Sequence, residues 1–161
     1  MAILSLKGIQ YNIDVELSFT NLTFNNIQFL RKGFLMELNH QLPNNVTITN
    51  SVFENIENGY IWISTPDLGS TTITTEVNII NITANNIKED ETSFIFLENS
   101  GKLFISESKF TSIYSYSDGS VLSGATSKTQ TLIYNSIFMN NTAQNGGVFS
   151  VLDESSIKCT T

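Results

Sequence analysis

Charge is scarce in this chain. Only 14% of its 161 residues are Asp, Glu, Lys or Arg, against roughly 25% in an average globular protein. Arg31 is the only arginine, and fifteen acidic residues against eight Lys plus Arg leave a net charge of −7. That balance excludes the basic stripe on which nucleic-acid binding depends, and equally a surface that adheres to anionic lipid. Long apolar runs are also missing. Stretches such as Gly59–Ile63 and Phe94–Leu97 fall far short of the ~20 residues that cross a bilayer, so no direct membrane insertion is expected. Met1–Lys7 has neither the basic leader nor the apolar length of a signal peptide. With one cysteine, Cys159, an internal disulfide framework and a cysteine zinc site are ruled out. The lone histidine, His40, sits between Asn39 and Gln41 in a predicted turn.

Polarity comes instead from 19 Asn, 19 Ser and 18 Thr. These residues favour turns and cross-strand hydrogen bonds, while the abundant Ile, Val and Phe favour strands. The asparagines are in register. Apolar anchors at Phe24, Phe53, Ala84, Phe110 and Phe138 recur at spacings of 29, 31, 26 and 28 residues. Three residues before them stand Asn21, Asn50, Asn81, Glu107 and Asn135; two after them stand Asn26, Asn55, Asn86, Ser112 and Asn140. A period in this range marks stacked supersecondary units sharing one core.

Five residues before each anchor the sequence reads Phe19, Ile48, Ile79, Ile105, Ile133, and seven before it Leu17, Val46, Val77, Leu103, Thr131. A spacing of two on an apolar column is strand periodicity facing a core. A second strand follows a small residue in each unit: Phe34–Leu38, Tyr60–Ile63, Phe94–Leu97, Ser120–Ser123 and Val148–Val151. Repeated coils of this kind lay each strand beside its counterpart about 4.8 Å away, so the sheets are parallel. The two asparagine columns then read as structural ladders, Asn21, Asn50, Asn81 and Asn135 in one and Asn26, Asn55, Asn86 and Asn140 in the other, with amides bonding from rung to rung. A leucine-rich repeat fits less well, because asparagine follows the core residue by two, as in Val46-Thr47-Ile48-Thr49-Asn50.

The run Phe138-Met139-Asn140-Asn141-Thr142-Ala143-Gln144-Asn145-Gly146-Gly147-Val148-Phe149 resembles the F-x-N-N-x-A-x-x-G-G-A-I repeat of right-handed, pectin-lyase-like β-helix proteins. Polymorphic outer-membrane proteins and β-helix surface proteins of protists such as ciliates share that repeat. Phe24 and Phe53 keep only the Phe and the following Asn. The resemblance implies a secreted or cell-surface coil and no particular activity. The expected fold is thus all-β, a right-handed parallel β-helix solenoid of about five full rungs plus partial end rungs. Residues 1–161 form a single segment of it, read as a fragment of a longer solenoid. Its expected partners are flanking rungs of the same protein or end-to-end neighbours, and a glycan or protein at its surface.

Catalysis on acidic polysaccharides needs clustered carboxylates, or calcium beside a basic residue. Here the acids are scattered, Asp14, Asp67, Asp153 and Glu154 among them, and the densest run, Glu89-Asp90-Glu91, reads as a solvated loop with weak calcium binding as the sharper option. No catalytic residue, metal ligand or cofactor is assigned. The leading expectation is a non-catalytic structural or adhesive segment. The alternatives are part of a carbohydrate-active enzyme with its catalytic rungs elsewhere, or a subunit of an assembly. One surface is less bland. With Leu35, Ile61, Ile95, Val121 and Phe149 facing the core, alternation turns Phe34, Met36, Tyr60, Trp62, Phe94 and Phe96 outward as an aromatic binding face, unless a loop such as 42–44 or 66–72 covers it. Of the four N-x-S/T sequons, only Asn45 lies outside a ladder column and is a comfortable glycan acceptor.

Overall fold

The computed structural model describes residues 2–7, 16–39, 45–64, 75–98, 101–124, 130–151 and 156–160. His40, Asp14, Asp67, Asp153, Glu154 and the loops 42–44 and 66–72 lie outside them. After β1 (Ala2–Lys7), successive coils comprise β2 (Glu16–Thr20) and β3 (Thr23–Asn39); β4 (Asn45–Thr49) and β5 (Val52–Ser64); β6 (Thr75–Ile80), β7 (Thr83–Glu89) and β8 (Ile95–Glu98); β9 (Gly101–Ser106), β10 (Lys109–Asp118) and β11 (Leu122–Gly124); then β12 (Gln130–Tyr134), β13 (Ile137–Met139), β14 (Thr142–Asn145), β15 (Phe149–Val151) and β16 (Ser156–Thr160). One sheet stacks β2, β4, β6, β9, β12 and β16 in that order, and the second coil wall forms the other sheet. Every pairing among the described residues is parallel, with Leu17, Val46, Val77, Leu103, Thr131 and Ile157 opposite one another rung after rung. The architecture is therefore the all-β parallel solenoid that the repeat predicts. It makes about four turns, slightly fewer than the five rungs expected, because five anchors bracket four intervals.

All ten column residues, from Asn21 to Asn140, have positive φ between 45° and 58°. This left-handed conformation crowds Cβ against the following carbonyl, and Asn tolerates it best after Gly because its short amide bonds locally. The chain turns at these points. Backbone pairing continues through the bend on both sides of the first column, as in Asn50 N–H to the Ile80 carbonyl and Val52 N–H to that of Leu22. Amide ladders are superimposed on the corners: Asn81 Nδ2 donates to Asn50 Oδ1 at 2.7 Å, Asn86 Nδ2 to Asn55 Oδ1 at 2.8 Å, and Asn55 Nδ2 to Asn26 Oδ1 at 3.2 Å. Asn45 lies outside both columns, and its Oδ1 accepts from Asn78 Nδ2 at 2.8 Å. A third column completes the corner. Ser51, Ser108 and Ser136 each donate a hydroxyl to the carbonyl two residues back and accept an N–H from the neighbouring rung.

Inside, Phe24 stacks on Phe53 with ring centroids 5.2 Å apart, and Phe110 on Phe138 at 5.1 Å. Ala84 interrupts this column, and fully buried Phe94 of the same coil as Ala84 packs edge-on against Phe53 of the preceding coil at 5.3 Å. Phe94 is thus part of the core. It belongs to a bend at which two consecutive residues of each coil are buried: Leu35 and Met36, Tyr60 and Ile61, Phe94 and Ile95, Val121 and Leu122 are all at most 2% exposed. The register slips between Phe34 and Met36, so that Met36 rather than Leu35 lies opposite Ile61. Simple alternation fails at such an irregularity.

Glu107 and Ser112 hold the same left-handed corner, at φ 51° and 54°, without the amide. Replacing either by Asn is expected to raise stability by about 1 kcal/mol, read as a rise in the urea midpoint at constant slope. Asn55→Ala keeps the strained corner and removes two ladder bonds. Its expected cost is about 2 kcal/mol. Phe94→Ala opens a void beside Ala84 and is expected to cost about 3–5 kcal/mol in the same assay.

Candidate functional site

The expected aromatic face divides in two. Met36, Tyr60 and Phe94 are buried, for the bend just described. Phe34, Trp62 and Phe96 are half-buried. Trp62 stacks on Phe34 with centroids 5.2 Å apart, lies opposite Phe96 in the ladder, and donates its indole N–H to Glu98 Oε2 at 3.2 Å. What survives is a narrow strip of three rings held by its own contacts.

A more distinctive site lies five residues after the anchors, where the sequence reads Phe29, Asn58, Glu89, Ser115 and Ala143. Strand alternation in β7 puts Glu89 on the inner side with Ala84 and Ile87 while Lys88 points out. Glu89 is therefore 2% exposed at a strand end, not part of a solvated loop. Opposite it in β10, buried Ser115 donates to the Thr92 carbonyl at 2.7 Å and so ties down the segment that follows Glu89. On the other side lies Gly59, whose backbone N–H bonds to the Glu89 carboxyl. A Cβ at Gly59 would press on the Phe29 ring at 2.8 Å, so only glycine lets that backbone pass.

These residues enclose a cavity of about 150 Å³, lined also by Leu30, Arg31, Lys32, Asn58, Tyr60, Asp90, Glu91 and Thr92. Burial pushes the Glu89 carboxyl up to about 9, helped by the Asp90 charge and opposed by the Gly59 N–H and Lys32. Burial, then the surrounding carboxylates led by Glu89, raises the Tyr60 phenol as well. Glu89 thus keeps its proton at physiological pH. Other acids are tied from rung to rung: Glu57 accepts from Gln28 and Lys88, Glu76 from Lys102, Asp118 from Asn145, and buried Glu37 from Ser5. Among the described residues, no group of three or more His, Cys, Asp or Glu is placed to hold a metal.

Composition and periodicity do not single out Glu89, because with Asp90 and Glu91 it forms one charge run. The signal was available in the column: a polar residue at an inward offset, in line with Asn58 and Ser115. No protein-family model, curated protein or solved structure matches the chain.

A raised carboxyl has a definite pH signature. The folded state holds the Glu89 proton from the unfolded value of 4.5 up to about 9, whereas the unfolded chain releases it. Its contribution to stability is complete below pH 4.5 and is lost as pH rises through that window, at up to about 1.4 kcal/mol per unit. Glu89→Gln removes the titration. The variant is expected to match wild type near pH 4.5 and to exceed it increasingly towards pH 9, measured by urea unfolding across pH.

Proposed function

We propose that this chain is a segment of a right-handed, pectin-lyase-like β-helix that serves as a non-catalytic shaft of a secreted or cell-surface protein. The observation that carries this reading is the lateral use of its outer polar groups. Glu57, Glu76 and Asp118 are each bonded to a neighbouring rung, which favours a stiff rod over a reaction centre that needs free acids converging on a substrate. The repeat over Phe138–Phe149 supports the same kinship and location.

Recognition by such a shaft falls to the strip of Phe34, Trp62 and Phe96, whose rings suit a sugar face or a partner's apolar side chains. In the outermost coils, Leu17's neighbours Phe19, Leu22 and Ile27 at one side, and Phe138, Val148, Phe149 and Ile157 at the other, are only partly covered by the core. Adjoining rungs, from the same protein or from an end-to-end neighbour, are the partners that would complete their burial.

Antibodies raised against the segment test the location. Intact source cells are expected to label as strongly as permeabilised ones, and labelling confined to permeabilised cells overturns the surface reading. Incubation with neutral and acidic polysaccharides is expected to release no new chain ends; release that is lost on heat denaturation overturns the non-catalytic one.

A further inference from the structure

The dipeptide Asn-Gly occurs twice in this chain, at Asn58-Gly59 and Asn145-Gly146, and Asp-Gly once, at Asp118-Gly119. In each, the side-chain carbonyl carbon and the glycine nitrogen are joined through Cβ, Cα and C, so bond rotation alone brings them within reach of a five-membered ring. Glycine allows the approach because no side chain stands beside its nitrogen. The state of the glycine N–H then decides whether the ring closes. A nitrogen held in a hydrogen bond must first give that bond up before it can lose its proton and attack.

The fold treats the three dipeptides differently. Gly59 N–H bonds to the Glu89 carboxyl, while Asn58 Nδ2 donates to the Phe29 carbonyl at 3.3 Å and Asn58 Oδ1 is buried. Gly119 N–H donates to the Asn145 carbonyl at 2.8 Å. Gly146 N–H has no acceptor among the described residues. Asn145 itself is exposed at the end of β14, and its Nδ2 donates to Oδ1 of exposed Asp118 at 3.0 Å. Nor can another residue readily stand at 146. Its φ is +72°, and a Cβ there would lie 2.8 Å from the Phe149 carbonyl oxygen, so the turn into β15 requires glycine after Asn145.

We propose that Asn145 is a site of spontaneous deamidation, and that its conversion loosens the pairing of β14 with β10. Water relays the Gly146 amide proton as the nitrogen attacks Asn145 Cγ. The new N–C bond forms, the Cγ–Nδ2 bond breaks, and Nδ2 leaves with that proton as ammonia. A second water opens the succinimide at either carbonyl, giving aspartate or isoaspartate. Both products replace the N–H donor facing Asp118 by a carboxylate, so a hydrogen bond becomes a like-charge contact. Isoaspartate also adds a methylene to the backbone, at a place where the β10–β14 register is already irregular between Ser115 and Asp118.

The test is peptide mass mapping of the whole chain after incubation at mildly alkaline pH in water labelled with heavy oxygen, once folded and once unfolded in urea. In the folded chain, position 145 is expected to take up the label and to yield aspartate and isoaspartate peptides. Asn58 is expected to convert at least about tenfold more slowly, the worth of roughly one hydrogen bond. In urea the two rates are expected to converge, since both glycine N–H groups are then free. An Asn145 that stays intact in the folded chain, or that converts no faster than Asn58, overturns the proposal. Asn145→Asp supplies the product's charge directly and is expected to lower the urea midpoint, with Asp118→Asn in the same chain restoring it by reversing donor and acceptor. A midpoint unchanged in Asn145→Asp, or not recovered in the double variant, overturns the loosening. None of these results bears on whether the chain is a surface shaft.

Discussion

The left-handed corner is the constraint on which this structure depends. Each coil must bend sharply while its backbone remains paired to the coils on either side, and a single residue at positive φ achieves both. Asparagine is the side chain that makes such a corner repeatable. It accepts the conformation at lower cost than any residue except glycine, and its amide can donate to one neighbour and accept from the other. Glu107 and Ser112 separate these two contributions. Both keep φ above 50° without an amide, so the bend is imposed by the stacked coils, and asparagine lowers its cost rather than creating it.

The interior follows a different logic. Along straight strands the core is a set of columns, with Phe24 on Phe53 and Phe110 on Phe138. At the bend before β8 and β11, the period of two gives way and neighbouring residues both turn inward. That irregularity lets Phe94 reach across to Phe53 where Ala84 leaves room. Coils of unequal length are accommodated by the same means. The four residues Phe29–Lys32 loop out of β3 while Gly33 and Gly59 stay paired, with the Phe29 ring resting where their missing side chains would be.

Much of the fold was legible because both of its main periods appear in residue identity. The columns Leu17–Val46–Val77–Leu103–Thr131 and Phe19–Ile48–Ile79–Ile105–Ile133 pair as their spacing predicts. The asparagine columns show amide bonding in the sequence, while the backbone conformation that fixes every one of them is visible only in the structure. The aromatic face fails where alternation does not carry through a bend, since nothing in the letters of Tyr60-Ile61 or Phe94-Ile95 announces that both side chains are buried. Glu89 escaped for a related reason. Its neighbours Asp90 and Glu91 are exposed, and a run of three acids conceals that the first of them still belongs to the strand.

The position of Glu89 separates scaffold from site. Five residues after each anchor the side chain turns inward, and Phe29 and Ala143 show that an apolar residue fits this column. A carboxyl placed there forfeits its hydration and keeps a proton far above its ordinary range, and Asn58 beside it leaves a buried oxygen unsatisfied. Both still bond to the neighbouring rung, Asn58 Nδ2 donating to the Phe29 carbonyl at 3.3 Å and Glu89 accepting from the Gly59 N–H. In a solenoid whose outer acids bond to neighbouring rungs, this pair interrupts an inward column, and retention of the Glu89 proton is what makes its burial tolerable.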